Sequence, residues 1–293
     1  MQYDALKTFI TLVEVKNFTK TSEILHISQP SVSLHIKNLE QEYQTTLFIR
    51  SPKSVQITPT GQILYERAKQ ILAIYEAAKE DILAHHHAIQ GSLVIGASFT
   101  IGENILPPIL ACLQQQFPHL ELEIIIGNTN EIIHLAKLLQ IDIGLIEGQS
   151  RDKELVIKPF MQDELFIVGA NHHPLTKQSS ITISALQQQN WVARESGSGT
   201  RTYLDHFFRV NGLQVQSLLT ISSNQGVKES VIQGLGLALL SGCVIEREIK
   251  NGDLAILHLE GQHFTRTFSY LYSPTMKNKR NVEALINFIT KKA

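Results

Sequence analysis

The sequence predicts an N-terminal helix-turn-helix with a small β-hairpin, then a long linker helix and a C-terminal α/β domain. Three observations support this prediction. Two short segments with apolar residues at helical spacing flank a tight turn near His26. A seam of apolar residues then recurs at alternating spacings of four and three. From Leu93 onward, strand-like and helix-like segments alternate, which is typical of a mostly parallel sheet.

The first sixty residues contain the predicted helix-turn-helix. An initial helix from about Tyr3 to Val15 is followed by a second helix and a turn, after which Ser28 or Gln29 caps a third helix with Pro30 in its first turn. The third helix is expected to bury one face and to expose a short polar face, which suits the major groove of DNA and indicates a gene regulator. The buried face comprises Val32, Ile36 and Leu39, and the exposed face comprises Ser31, Ser33, Leu34, His35, Lys37 and Asn38.

A hairpin is predicted directly after this helix. Residues 47–50 and 55–58 have strand patterns, and Ser51-Pro52-Lys53-Ser54 forms the turn between them. Beside a helix-turn-helix this hairpin is interpreted as a wing, in which Arg50 and Lys53 contact phosphates or a minor groove. The alternative is a solvated hairpin without a DNA contact.

A long helix is predicted from Thr58 as cap and Pro59 in its first turn. Its heptad seam favours pairing with a second copy, because a palindromic DNA site needs a symmetric dimer. An amphipathic helix that packs on its own domain is the alternative. Residues 85–87 are three histidines that point in different directions, so no metal site is predicted. The predicted dimerisation residues are Leu64, Ala68, Ile71, Tyr75, Ala78 and Ile82.

Beyond a boundary at Gln90-Gly91-Ser92, strands and helices alternate too often for one small sheet. The strand candidates are Leu93–Ile95, Leu120–Ile126, Ile143–Ile146, Leu165–Val168, Trp191–Ala193, Leu218–Ile221, Ala238–Leu240 and Phe268–Tyr272. The helix candidates are Asn104–Phe117, Asn130–Leu139, Gly199–Val210, Gln225–Gln233 and Asn281–Ile289.

Four polar loops follow predicted strands, where α/β sheets bind ligands. The loop 195–201 is the most suggestive of a ligand site. Its glycines allow the backbone to approach a ligand closely, and Arg201 can bind an anion at a helix N-terminus. We therefore expect a small anionic effector, although ordinary helix caps and turns would give similar sequences. The candidate effector-binding residues are Ser98, Thr100, Asn128, Thr129, Ser196, Thr200, Arg201 and Gln225.

Composition narrows the class of protein. The chain has 293 residues, is 43% hydrophobic and carries a net charge of −1, so DNA contacts must come from local placement of charge. Cys112 and Cys243 are far apart and are expected to be reduced thiols. No signal segment or membrane-spanning apolar run is evident, which predicts a cytoplasmic protein. No catalytic, metal-ligand or dinucleotide motif is complete, so neither an enzyme nor a cofactor is predicted.

Several spaced motifs resemble the LysR-type transcriptional regulators, and the resemblance covers nearly the whole chain. These motifs are Phe18-Thr19, Leu25-x-x-Ser28-Gln29-Pro30-Ser31-Val32-Ser33, Ile36-x-x-Leu39-Glu40, Leu47-Phe48-x-Arg50 and Thr58-Pro59-Thr60-Gly61. Many family members have a basic residue where this chain has Leu34, so base contacts are expected from His35, Lys37 and the serines. The resemblance implies DNA binding by Thr19, Ser28, Gln29, Pro30, Ser31, Ser33, Leu34, His35, Lys37, Arg50 and Lys53.

The resemblance further implies a winged helix-turn-helix at residues 1–58, a dimerisation helix at 59–90 and an effector-binding domain at 91–293 that resembles a two-lobed periplasmic binding protein. One lobe is expected at about 91–160 and 266–293, and the other at about 161–265. The expected partners are double-stranded DNA at an interrupted palindrome, a small-molecule effector and RNA polymerase. The chain is also expected to form a homodimer or a homotetramer. Residues 195–201 resemble regulators of carbon fixation and sulfur assimilation within the family. A cytosolic solute-binding protein with an N-terminal docking module is the main alternative, and an enzyme is a weaker one.

Overall fold

We describe the chain from a computed structural model, which covers residues 3–51, 54–84, 89, 91–148, 150, 152–276 and 279–291. The chain divides into two compact units, one of which contains residues 1–87 and the other most of the remaining chain. We call them the N-terminal and the C-terminal unit and describe each by itself. No helix in these described ranges is both long enough and apolar enough to cross a bilayer.

The N-terminal unit is a three-helix cluster with a β-hairpin and a long final helix. Asn17 caps the second helix by accepting from the Lys20 amide at 3.0 Å, and Ser28 caps the third by accepting from the Ser31 amide at 3.2 Å. Ser28 is therefore the cap of the third helix, and Pro30 lies in its first turn. The elements are α1 (Tyr3–Val15), α2 (Phe18–Leu25), α3 (Gln29–Glu42), β1 (Phe48–Ser51), β2 (Ser54–Ile57) and α4 (Pro59–Ala84).

Apolar side chains from α1, α3, β1 and α4 form one core in this unit. β1 and β2 pair antiparallel, with Phe48 opposite Ile57. The carboxylate of Glu40 accepts from the Leu47 and Phe48 amides at 2.9 and 3.4 Å, which fixes the end of α3 to the start of the hairpin. The predicted winged helix-turn-helix is confirmed.

The C-terminal unit alternates strands and helices. Its strands are β3 (Gly91–Ser98), β4 (Leu120–Gly127), β5 (Ile143–Glu147), β6 (Val156–Ala170), β7 (Asn190–Arg194), β8 (Ser217–Ile221), β9 (Ala238–Ser241), β10 (Leu254–Leu257) and β11 (Phe264–Tyr272). Its α-helices are α5 (Leu106–Gln116), which follows a π-helical turn at Ile101–Ile105, and α6 (Thr129–Lys137), α7 (Gly199–Val210), α8 (Asn224–Ile232), α9 (Gly242–Asn251) and α10 (Arg280–Lys291).

Two long antiparallel strands, β6 and β11, join two lobes of this unit. The larger sheet has the order β10-β6-β11-β5-β3-β4, with β9 also paired to β6, and β7 pairs with β8 in parallel. The first lobe contains β3 to β5, whose pairs are parallel, and the second contains β7 to β10. Separate apolar cores support the division, one including Ile132 and Ile146 and another including Trp191 and Phe207. The predicted two-lobed α/β fold is confirmed.

The sequence prediction did not include α9, β10 or the first half of β6. That half of β6 contains Pro159, which cannot donate to a strand partner and normally marks a bulge or an edge. The register with β11 does shift there, since Phe268 faces Met161 whereas Ser269 faces Pro159. Only the uninterrupted apolar run at Leu165–Val168 has a clear strand pattern.

Candidate DNA-contacting helix and effector cleft

The outward face of α3 is free of packing against the rest of the N-terminal unit. Val32, Ile36 and Leu39 are buried, as their spacing predicted. On the other side, Leu34 is 56% exposed and Lys37 is exposed, with Ser33 half-buried beside them. The first turn adds Gln29 and Pro30, both exposed. This face is short, lies opposite the buried side of α3 and begins at a capped helix N-terminus.

His35 is half-buried at the edge of this face rather than fully exposed, and its contact with a base stays a prediction. Its Nδ1 lies 2.8 Å from the Oγ1 of Thr8, a residue of α1 that is only 1% exposed. The Thr8 hydroxyl donates to the carbonyl of Asp4 at 2.7 Å, so the imidazole donates its Nδ1 proton to Thr8. His35 therefore positions α3 against α1.

The remaining predicted DNA contacts have mixed placements. Thr19 is exposed near the start of α2. Ser28 is exposed but is engaged in the cap, and its Oγ lies 2.8 Å from the Oγ of Ser31. The Arg50 side chain and all of Lys53 lie outside the described residues, as do His85, His86 and His87.

The predicted seam of α4 divides into a buried half and an exposed half. Leu64 and Ala68 lie in the core of their own unit, with 8% and 0% exposure. Ile71 packs at the edge of that core. Further along, Ile82 is 72% exposed, and Tyr75 and Ala78 are also exposed. The first half of the seam thus packs within the N-terminal unit, and the second half is exposed, with the Tyr75 ring 4.8 Å from the Tyr3 ring of α1.

In the C-terminal unit, two predicted effector residues meet at a carboxylate that sequence reasoning missed. The Thr100 amide donates to Oε1 of Glu147 at 3.1 Å, and the Thr200 hydroxyl donates to Oε2 at 3.1 Å. Thr100 follows β3 in the first lobe, whereas Thr200 lies in the first turn of α7 in the second. Glu147 ends β5, and it therefore connects the two lobes.

Arg266 of β11 lies at the centre of a buried charge network. It donates to Glu147 at 2.6 Å, to Asp163 at 2.7 Å and to the Thr200 hydroxyl at 2.9 Å. The Ser241 hydroxyl also donates to Asp163, at 2.6 Å. All of these side chains are buried, and within the described part of the chain the Arg266 Nη2 has no hydrogen-bond partner.

The pKa values of the two carboxyl groups in this network shift in opposite directions. Burial disfavours ionisation of Glu147, but the Arg266 charge and hydrogen bonds from Thr100 and Thr200 outweigh it, so the pKa of Glu147 is lowered. For Asp163 burial is the stronger effect, so its pKa is raised despite the Arg266 charge and the Ser241 hydrogen bond.

Arg194 is a second buried arginine that sequence reasoning missed. Its guanidinium, at the end of β7, pairs with Glu195 at 2.8 Å and donates to the Asn224 Oδ1 at 2.7 Å. It also lies 4.5 Å from the centre of the Phe99 ring, in the first lobe. Asn224 in turn donates to the Thr100 hydroxyl at 3.4 Å. These contacts cross the cleft and hold the lobes together.

Two buried hydroxyls at the carboxyl ends of β3 and β4 have no partner among the described residues. They are the Ser98 Oγ and the Thr129 Oγ1, both predicted effector contacts. Ser98 is opposite Gly127 in the parallel register, so the two loops are neighbours. The next amide, of Asn130, donates across the cleft to the Gly197 carbonyl at 3.2 Å. These hydroxyls and the Arg266 Nη2 are unsatisfied groups that a ligand could bind.

Other predicted effector residues are occupied elsewhere. Arg201 donates to Asp205 at 2.8 Å and to the Arg194 carbonyl at 2.9 Å, so its guanidinium is already engaged within the protein. Ser196 is exposed, and Asn128 exchanges hydrogen bonds with Glu131 at the start of α6. Gln225 donates to Glu229 and lines a separate groove of about 900 Å³.

Cys243 lies beside the charge network, with its Sγ 3.1 Å from the Ser241 Oγ. Burial raises the pKa of this thiol above its ordinary value. No group of three or more histidine, cysteine or acidic side chains in the described ranges could hold a metal ion.

Comparison with protein families decides the classification. Residues 3–62 match the model for the bacterial regulatory helix-turn-helix protein, lysR family, and residues 86–293 match the LysR substrate binding domain. The chain belongs to the LysR family of transcriptional regulators. The family resemblance predicted from the sequence is thereby confirmed, and the chain is not classed as an enzyme.

The similarity to individual LysR proteins extends over the whole chain. It is 55% identical to the HTH-type transcriptional regulator CysL of Bacillus subtilis over 289 residues, which cover 99% of this chain and 97% of that protein. The full-length structure of CbnR complexed with its target DNA matches with a TM-score of 0.73 at 17% identity, covering 100% of both chains. The regulatory domain of Synechocystis CcmR in complex with 2-PG matches with a TM-score of 0.65 at 23% identity, covering 69% of this chain and 97% of that one.

Proposed function

We propose that this LysR-family chain binds one half of an interrupted palindromic operator with the outward face of α3. The observation that carries the proposal is the separation of the two faces of that helix. Its apolar face is buried and His35 holds it to α1, while Leu34, Lys37 and the first turn are presented to solvent. A helix presented in this way fits a major groove. CbnR, which has the same fold, has been solved in complex with its target DNA, and this supports DNA binding by the present chain.

The proposed dimer contact is the exposed half of the α4 seam. Tyr75, Ala78 and Ile82 follow at spacings of three and four, so they share one face of the helix. A second copy would cover this face and place two α3 helices on one palindrome. A tetramer and a contact with RNA polymerase remain predictions.

We further propose that a small anionic effector binds between the lobes of the C-terminal unit. The supporting observation is the set of buried polar groups without partners, the Ser98 and Thr129 hydroxyls and the Arg266 Nη2, since such groups are costly to bury unless a ligand or water satisfies them. Thr200, Thr100 and Glu147 link the two lobes, so a ligand that binds one lobe arrangement better than another would shift the balance between them. The bound 2-PG in CcmR supports an anion.

The effector proposal can be tested by thermal unfolding of the full chain with phosphate, sulfate, short carboxylates and 2-PG as separate probes. Trp191, the single tryptophan and fully buried in the second lobe, reports unfolding of the C-terminal unit. At least one anion should raise the melting temperature. This rise should be lost in Ser98→Ala and retained in Ser196→Ala, which changes an exposed serine. If no anion acts, or if Ser98→Ala keeps the full rise, the proposed site is wrong.

The DNA proposal can be tested by selecting duplexes from a random-sequence library with the full chain. A LysR-type operator should emerge as two related half-sites with inverted symmetry. Lys37→Ala should weaken binding to the selected duplex, whereas Lys177→Ala, an exposed lysine of the C-terminal unit, should not. Failure to enrich any sequence would overturn the proposed operator binding by α3, whereas the family match already excludes the alternative of a solute-binding protein with a docking module.

A further inference from the structure

The centre of the outward face of α3 is apolar. At about 100° per residue along a helix, Pro30 and Gln41 lie within about 40° of Leu34, and Lys37 within about 60°. Leu34 is therefore at the middle of the face, opposite the buried Val32 and Ile36 stripe, and it is 56% exposed. Its side chain has no hydrogen-bond donor or acceptor, so it can contribute only through apolar contact.

Exposed leucines are common on protein surfaces and usually need no explanation. The position of Leu34 is what distinguishes it. When a helix enters a major groove, the middle of its outward face approaches the base edges most closely. The only apolar group that the four bases display in that groove is the 5-methyl group of thymine. The chemistry of Leu34 therefore matches one base.

The placement of His35 strengthens this assignment. Because its imidazole is hydrogen-bonded to Thr8 of α1, the Nδ1 side of the ring is turned toward α1 and away from Leu34. The polar residues beside Leu34 on the helix surface are Lys37 and Asn38, which can donate to phosphates or to acceptors on the base edges. An apolar centre flanked by such donors favours a thymine with polar groups around it.

Building on the proposed DNA-binding role, we propose that Leu34 contacts the 5-methyl group of a thymine in each operator half-site. This contact makes Leu34 a specificity-determining residue of the chain. Removing the methyl group alone should weaken binding about fourfold for one half-site, which corresponds to one buried methyl group. Removing it from both half-sites should weaken binding roughly fifteenfold if the two contacts are independent.

The test replaces thymine by deoxyuridine, one position at a time, in a duplex selected by the full chain. Deoxyuridine lacks only the methyl group and keeps the base pairing. Binding of the native protein should weaken at one symmetric position of the half-sites. Leu34→Ala should bind the thymine and uracil duplexes equally at that position, and Leu34→Met should still prefer thymine. Gln41→Ala changes an exposed residue on the same face and should also keep the preference.

The melting temperatures of all three variants should match that of the native protein, because both side chains are exposed. A selected half-site without thymine would overturn the proposal, and so would a thymine preference of the same size in Leu34→Ala. A native protein that binds selected and random duplexes equally would instead overturn the proposed DNA-binding function itself. The two failures are thus distinguishable.

Discussion

Replacing Arg266 by methionine is expected to destabilise the C-terminal unit by about 3–5 kcal/mol, the usual cost of removing one partner from a buried ion pair. The magnitude follows from the burial of the network. Arg266 is 6% exposed, and its partners Glu147 and Asp163 are 4% and 7% exposed. Without the guanidinium, two carboxylates would remain in the interior with hydroxyl and amide donors as their only compensation.

The loss should depend on pH in a defined direction. In the native protein the lowered pKa of Glu147 contributes stability above its ordinary pKa, and this contribution is lost as the pH falls through the lowered value. The raised pKa of Asp163 has the opposite effect, favouring the fold at low pH and less so as the pH rises. Without Arg266, burial should raise both pKa values, so the variant should be least stable above the raised values and should regain stability as the pH falls through them.

Urea unfolding of the full chain, followed by the fluorescence of Trp191, measures this free energy in the C-terminal unit. Lys250→Met is the matched control, because Lys250 pairs with Glu246 on the surface, where the side chains are 71% and 66% exposed. It should change stability by no more than about 0.5 kcal/mol. The added changes Glu147→Gln and Asp163→Asn should restore much of the stability lost in Arg266→Met. A loss below about 1 kcal/mol, or one independent of pH, would refute the reasoning.

Three further changes probe other contacts. His35→Ala removes the hydrogen bond to α1 and should lower affinity for selected and random duplexes by the same factor in binding titrations. A loss of affinity for the selected duplex alone would instead show that His35 contacts a base. Ile82→Asp should give monomers in analytical ultracentrifugation, whereas Ile63→Asp, which changes a 63% exposed residue in the first half of α4, should not. A dimer that is unchanged in Ile82→Asp would place the contact elsewhere. Gly199→Ala places a Cβ only 2.6 Å from the Cβ of Glu147. It should therefore destabilise the C-terminal unit by about 1–3 kcal/mol in urea unfolding. Unchanged stability would show that α7 can shift to make room.

The sequence alone predicted those parts of the molecule that depend on local pattern. The buried stripe of α3 follows from helical spacing, and its cap from a serine before a proline. The position of His35 did not follow, because it flanks the buried stripe and only the neighbouring α1 decides which way its ring turns. The seam of α4 is likewise continuous in sequence, but packing within the unit buries its first half.

The cleft was predicted only in part. Polar residues after strands drew attention to Thr100 and Thr200, which meet at Glu147 between the lobes, and to Ser98 at the end of β3. The charged residues that organise it were missed, because Glu147 and Arg266 are 119 residues apart and only the topology of β5 and β11 makes them neighbours. The available signal was one charged residue directly after the apolar run 143–146 and another shortly before the run 268–272, since a buried charge needs a partner. That signal does not identify the partner.

The measurement that tests the central claim most directly is the affinity of the full chain for a selected duplex compared with a scrambled duplex of equal length, by fluorescence anisotropy at fixed salt. We expect at least about a thousandfold preference for the selected duplex, as is typical of specific regulators. Lys37→Ala and Leu34→Ala should reduce this preference without lowering the melting temperature. Equal affinity for both duplexes would contradict the assignment of α3 as a sequence-specific DNA-binding helix.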